Sequence, residues 1–498
     1  MLRCHFTERT PLKMLFSSLI FLQAFLPLTL ALYYGIGLLP ASSPEKKRRR
    51  KNVVLLLASL VFYGFSGLKY LLLMLAVIML NYFGGLLVSR GKTPAARKAF
   101  LAATVILNLG LLFYFKYFNL FRDVVGQISA LFGGEPGAFT RIILPVGISF
   151  YIFQALSYTI DVYRGDAELQ KNPLDFALYV SCFPQLIAGP IVQYSDVSAQ
   201  LTKRQENVEQ FSEGIRRFLY GLAKKVLIAN TVAEIADGIW ALEVGKIGAG
   251  LAWLGALAYF FQIYYDFSGY SDMAIGLGKM FGLDFKENFR YPYLADSVTD
   301  FWRRWHISLG SWFRNYVYIP LGGNRKGEGR AVFNMAVVFF LTGVWHGANW
   351  TFFFWGVYHG IFRIAEYCLT KNSKRNRRSR RKRFRLPGQV YTFLVVLVGW
   401  IFFRADTLPD AFSFIGQLFG TRGVDETVLS FLSFRRLLAL LCAFLGLGFF
   451  QEYFSFLLDK VQKATRGILE KIWLLFLLFL CILLLTNSNY NPFIYFQF

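Results

Sequence analysis

Residues 331–369 read AVFNMAVVFFLTGVWHGANWTFFFWGVYHGIFRIAEYCL. Two apolar runs, 331–345 and 350–369, flank a short interruption that holds His346, Gly347 and Asn349, and no Asp, Glu, Lys or Arg occurs between Ala331 and Phe362. About twenty apolar residues carry a helix across a bilayer, and lipid leaves a lone chain no other way to satisfy its backbone than a helix or a closed barrel. The stretch therefore predicts two membrane helices with a histidine between them.

The pattern recurs along the whole chain. Apolar runs at 14–39, 53–67, 69–88, 99–118, 141–161, 174–195 (broken by Pro184 and Pro190), 218–242, 249–268, 390–404, 434–458 and 468–486 are further candidate spans, some of them half-spans or re-entrant. The composition agrees: 498 residues are 55% hydrophobic and 17% charged, with a mean hydropathy of +0.42. The 54 Phe and 27 Tyr exclude disorder, and ordinary soluble domains of this size do not hide so much apolar surface. The expectation is one all-α, integral membrane domain over 1–498. The first span is too long for a signal-peptide core and is read as retained.

A net charge of +24 is unusual for such a chain. KKRRRK at 46–51 and KNSKRNRRSRRKRFR at 371–385 contribute six and ten cations, two thirds of the excess. Such tracts occur in nucleic-acid binders. Between apolar spans they read instead as basic cytoplasmic loops that orient the protein, with no nucleic-acid partner. One topology then puts Arg90, Lys92, Arg97, Lys98, Lys203, Arg204, Arg216, Arg217, Lys224, Lys225, Lys460, Lys463, Arg466 and Lys471 inside, and both termini outside. The five cysteines form no CxxC spacing, and no HxxxH or HExxH pairing exists, so neither a disulfide framework nor a metal site is expected.

Polar groups inside a membrane are costly and mark candidate sites. His346, with Gly343 and Gly347 beside it, has the imidazole that accepts a hydroxyl proton near neutral pH; a structural histidine bonded to a carbonyl is the alternative. His306 lies in TDFWRRWHISLGSWFRNYVYIPLGGNR. Trp302, Trp305, Leu309, Trp312 and Tyr316 recur there at helical steps, with Arg303, Arg304 and Arg314 off the stripe, which predicts one amphipathic helix lying at the cytoplasmic interface. His359 reads as a packing residue, on a different helical face from His346. In YYDFSGYSDMAIG, Asp266, Ser268, Tyr270, Ser271 and Asp272 either line a watery passage or mark a helix break at Gly269. The loop LGGNRKG at 321–327 reads as a turn.

These segments, together with LPVGISFYIFQALSYTIDVYRG, FPQLIAGPIVQY, NFRYPY and the terminal PFIYFQF, resemble the membrane-bound O-acyltransferase superfamily, in the wording of its alginate O-acetyltransferase branch. The similarity runs from about residue 14 to the last residues. The resemblance implies a bundle of about eleven transmembrane helices around a thin centre open to both faces. It matches the family's essential histidine to His346 and a second, more variable one to His306. It also implies O-acetylation of an exported polysaccharide such as alginate, cellulose or peptidoglycan, completed by a separate extracytoplasmic partner of the SGNH-hydrolase type.

On that basis acetyl-CoA, with no permanent cofactor, is the expected donor. Arg303, Arg304 and Arg314 are placed to hold its phosphates. Trp305, Trp345, Asn349, Asp266, Ser268 and Tyr270 complete the candidate substrate contacts, Asn349 as a group that orients the imidazole or an oxyanion. D-alanylation of teichoic acid, from a carrier protein, is the nearest alternative. An exporter without chemistry is the remote one.

Overall fold

The computed structural model describes residues 14–134, 139–204, 206–243, 245, 247–371, 386–420, 426–449, 460, 467–487 and 490–494. Residues 372–385, most of the second basic tract, lie outside them, as do His5, Lys463, Arg466 and much of the expected span at 434–458. The described residues form helices and no strand. Five helices are long and apolar enough to cross a membrane: Phe21–Leu38, Leu68–Arg90, Pro94–Lys116, Leu386–Arg404 and Ile468–Asn487. The protein is a multi-pass, all-helical membrane protein. The chain divides into two compact units, Met1–Phe218 with Met273–Lys286, and Leu219–Asp272 with Glu287–Phe498.

The first unit holds α1 (Phe21–Leu38), α2 (Pro44–Gly64), α3 (Leu68–Arg90), α4 (Pro94–Lys116), α5 (Phe118–Leu131), α6 (Ile148–Arg164), α7 (Pro173–Ser181), α8 (Phe183–Leu186) and α9 (Tyr194–Lys203). Phe16, Phe21, Phe25, Phe62 and Phe183 stack into its core, with ring centroids 5.0–6.4 Å apart. Inside the apolar pair α3 and α4, Asn81 and Asn108 exchange side-chain hydrogen bonds of 3.0 and 3.2 Å, and Thr159 of α6 donates to Asn81 Oδ1. Such bonds join helices where lipid provides no hydrophobic drive. The prolines expected to break 174–195 do so: α7 ends at Ser181, α8 is one turn, and the chain stays buried to Tyr194.

The tract 46–51 is not a loop but the first turns of α2, which starts at Pro44 with the Ser43 hydroxyl accepting from Lys46 N–H. Its last cation, Lys51, turns inward under α1, pairs with Glu206 and sits over the rings of Tyr33 and Tyr34 at 5.0 and 5.1 Å. Gly37 makes room, since a Cβ there would overlap the Lys51 chain. Burial pushes the Glu206 carboxyl up, but its bonds from Lys51 and Tyr33, and the charges of Lys51 and Arg204, outweigh this and hold it below the usual range.

Two helices contribute to both units, α10 (Val208–Ala223) and α12 (Ala249–Met280). The second unit adds α11 (Asn230–Trp240), α13 (Val298–Arg304), α14 (Ile307–Phe313), α15 (Glu328–His346), α16 (Trp350–Lys371), α17 (Leu386–Arg404), α18 (Leu408–Gln417), α19 (Glu426–Ser430), α20 (Phe434–Leu445) and α21 (Ile468–Asn487). Of the two alternatives at Gly269, the helix break does not occur, because α12 runs through it without interruption. Gly269 is instead a point of close approach: a Cβ would lie 2.8 Å from Gly221 O. A π-helical turn, Lys224–Ala229, lies between α10 and α11 and carries Lys225 inward.

Candidate active site

His346 is the last residue of α15, and α16 begins four residues later. The two helices meet through glycine. A Cβ on Gly343 would stand 2.4 Å from Phe352 O, and one on Gly356 2.5 Å from Phe339 O. Contact this close between backbones is how small residues pack membrane helices. It brings Trp355 of α16 against His346, with ring centroids 5.0 Å apart at 87°. Trp345 and Phe403 of α17 enclose the same imidazole at 5.0 and 5.1 Å. The His346 ring is buried in an aromatic socket built by three helices.

The predicted amphipathic helix around His306 is not continuous. α13 ends at Arg304, His306 takes a left-handed backbone with φ +45°, and α14 starts at Ile307. The break is imposed from NFRYPY. Asn288 O accepts from Ile307 N–H at 3.0 Å, Asn288 Oδ1 accepts from Ser308 N–H and Oγ–H at 3.2 and 2.9 Å, and Arg304 O accepts from Arg290 N–H at 3.0 Å. Asn288 Oδ1 also lies 3.2 Å from His306 Nδ1. These bonds draw His306 off the aromatic stripe into the core, where it is 2% exposed and packs edge-on against Phe267 of α12 at 4.7 Å. Trp345 lies 5.9 Å from the His306 ring and 5.0 Å from the His346 ring, so one indole is shared by both histidines.

The remaining predicted residues divide. Arg303 and Arg314 are exposed on either side of the break, and Arg304 pairs with Asp300 at 2.8 Å. Trp305 is buried between Phe301 and Trp400, at 5.5 and 4.8 Å. Asn349 donates to Asp406 O at 2.8 Å and accepts from Thr351 N–H, which spends its amide on the entry to α16. Asp266 faces Lys225 at 2.5 Å and accepts from Ile494 N–H at 2.8 Å. Tyr270, one turn on, stacks on Phe493 at 4.8 Å, while Ser268 Oγ is buried without a hydrogen-bond partner among the described residues. The loop at 321–327 is a turn, with Gly322 and Gly323 left-handed and Gly323 O bonded to Asn334.

Reading by residue type missed Asn288, Phe267, Trp355 and Phe403. It also missed Lys225, which donates to Pro492 O as well and so ties the segment 490–494 into the core. Asn230 and Asp237 bind the same segment through Asn491 and Tyr490. NFRYPY and PFIYFQF stood out as motifs, but nothing local in them names partners so distant in sequence. His346 and His359 are on different helices, so their helical phase has no bearing. Both contact Trp355 instead, His359 at 5.1 Å.

Fold and site together define a polytopic membrane protein whose core holds three buried imidazoles, His306, His346 and His359, within one aromatic cluster. The model of the membrane-bound O-acyltransferase family matches residues 170–404. The probable alginate O-acetylase AlgI of Pseudomonas putida is 42% identical over 97% of this chain and all of its own length. The peptidoglycan O-acetyltransferase of Helicobacter pylori is 36% identical over 84% of this chain and 82% of its own. The teichoic acid D-alanyltransferase of Bacillus subtilis is 28% identical over 51% and 65%. The chain belongs to the membrane-bound O-acyltransferase family and is a membrane O-acyltransferase.

Proposed function

We propose that the protein takes the acetyl group of cytoplasmic acetyl-CoA and passes it through the membrane for O-acetylation of an exported polysaccharide. The observation that carries the reading is the shared socket of His346 and His306 around Trp345. Two relatives that align over most of the chain are named for O-acetyl transfer, one an alginate O-acetylase and one a peptidoglycan O-acetyltransferase. The D-alanyltransferase match covers only about half of the chain.

In this reading His346 is the general base. Its imidazole takes the proton of an acceptor hydroxyl as that oxygen attacks the thioester carbon, and the tetrahedral intermediate collapses with loss of the CoA thiolate. The imidazolium returns the proton to that sulfur. The aromatic walls exclude water, which would otherwise hydrolyse the thioester. His306 is the second imidazole, its orientation set by Asn288. Arg303 and Arg314, exposed beside the break, and the Asp300-paired Arg304 receive the CoA phosphates. The bundle of about eleven transmembrane helices has its basic tracts inside and both termini outside. A separate extracytoplasmic SGNH-type transferase completes the step onto the glycan.

The test is transfer of labelled acetyl from acetyl-CoA into inverted membrane vesicles by His346→Ala, with expression and insertion matched to wild type. A loss of at least about a hundredfold is expected for removal of a general base. Wild-type transfer by a correctly inserted variant would sink the mechanism.

A further inference from the structure

Five residues of α2, Lys46, Arg49, Arg50, Val53 and Val54, fall on one helical face by their three- and four-residue spacing. With Ile36 of α1 they line an open groove of about 380 Å³. The groove is graded along its length. Three cations stand at the N-terminal end of α2, and the two valines follow within about two turns, or about 12 Å of rise. The aliphatic track continues beyond them: Leu57 and Val61 on α2, and Leu28 and Leu32 on α1, are all exposed. The rest of the tract is used differently, since Lys51 is buried against Glu206. Arg50 is held over the connecting loop by its bond to Pro40 O at 2.9 Å. Among the described residues neither Lys46 nor Arg49 is paired with a carboxylate.

We propose that this groove binds an anionic diacyl phospholipid, with its phosphate at Lys46, Arg49 and Arg50 and an acyl chain along Val53, Val54 and the exposed leucines. A run of cations that only oriented the chain would need no such order. Here the cations and the aliphatic residues share one face, and the wall between them is made of apolar stems. That sequence of charge, stem and hydrocarbon matches a phospholipid from headgroup to tail, and the net positive charge of the rim selects an anionic one.

The test is native mass spectrometry of the full-length protein released from detergent micelles and titrated with phosphatidylglycerol or phosphatidylcholine. Two variants remove equal charge from the same tract, Lys46→Gln with Arg49→Gln in the groove and Lys47→Gln with Arg48→Gln outside it. Wild type is expected to retain phosphatidylglycerol in preference to phosphatidylcholine. The groove variant should lose about thirtyfold in phosphatidylglycerol affinity, about a factor of five for each cation, and the outside variant less than threefold. Equal losses in the two variants would show diffuse surface charge and overturn the site. So would equal retention of the two lipids. Displacement of the lipid by inorganic phosphate at matched concentration would reassign the groove to bare anions.

Discussion

At φ +45° His306 stands where an L-residue other than glycine is disfavoured by about 1–2 kcal/mol. The position tolerates this because Asn288 supplies acceptors to Ile307 and Ser308, and because the turn aims the imidazole into the core rather than along the stripe. Strain of this kind separates the side chain's role from the backbone's. His306→Gly and His306→Ala both delete the imidazole, but only alanine keeps the left-handed penalty. Thermal unfolding in detergent should therefore rank glycine above alanine by about 0.5–1 kcal/mol, although glycine is ordinarily the weaker choice. The reverse order would mean that the residue is not held left-handed. The sequence showed the histidine but not its turn. Trp302, Trp305, Leu309, Trp312 and Tyr316 keep a helical period straight through the break, with neither Pro nor Gly at residues 305–307 to mark it. The cause is a set of hydrogen bonds accepted by Asn288, some eighteen residues away.

Between elements, the decisive contact is the crossing of α15 on α16. Both helices were legible as apolar runs, and their separation at Gly347 followed from the polar interruption. Their depth of approach was not legible, because Gly343 and Gly356 look like any glycine until the Phe339 and Phe352 carbonyls are seen beside them. Asp266 shows the same limit. A carboxylate in an apolar run is a sound flag for a site, yet its partners, Lys225 and Ile494, come from a π-helical turn and a segment more than two hundred residues on. Gly356→Ala places a methyl against backbone that cannot move aside, and should cost about 1–3 kcal/mol in thermal unfolding. Trp355 adjoins this position and closes the His346 socket, so acetyl transfer should fall in the fraction that stays folded. Gly329→Ala on α15 meets nothing within 4 Å and is the matched control, expected to be neutral or slightly stabilising. Equal behaviour of the two would remove the close crossing.

For the whole molecule the question is which way the charge points. Membrane insertion keeps cation-rich connections on the cytoplasmic side. In the proposed topology the α1–α2 connection and the cations at Arg90, Lys92, Arg97 and Lys98 of the first unit lie on the cytoplasmic face, and the short turn after α2, ahead of Lys69, lies on the other. The charge pattern is what this proposed orientation rests on, since two tracts hold two thirds of the excess charge. It did not reveal that Lys51 leaves the tract to pair with Glu206, which ties the topology signal to the folded core. The orientation bears on the proposed chemistry, because acetyl-CoA, the proposed donor, is available on one side only. In a variant with its five cysteines replaced, Ser42→Cys and Lys69→Cys place thiols at exposed positions on the two proposed faces. A membrane-impermeant maleimide added to intact cells should label residue 69 and should reach residue 42 only after permeabilisation. The opposite pattern would turn the first unit over and put 46–51 outside. The positive-inside argument that assigns Arg303, Arg304 and Arg314 to a cytoplasmic donor would then lose its anchor, and a donor other than acetyl-CoA would have to be sought.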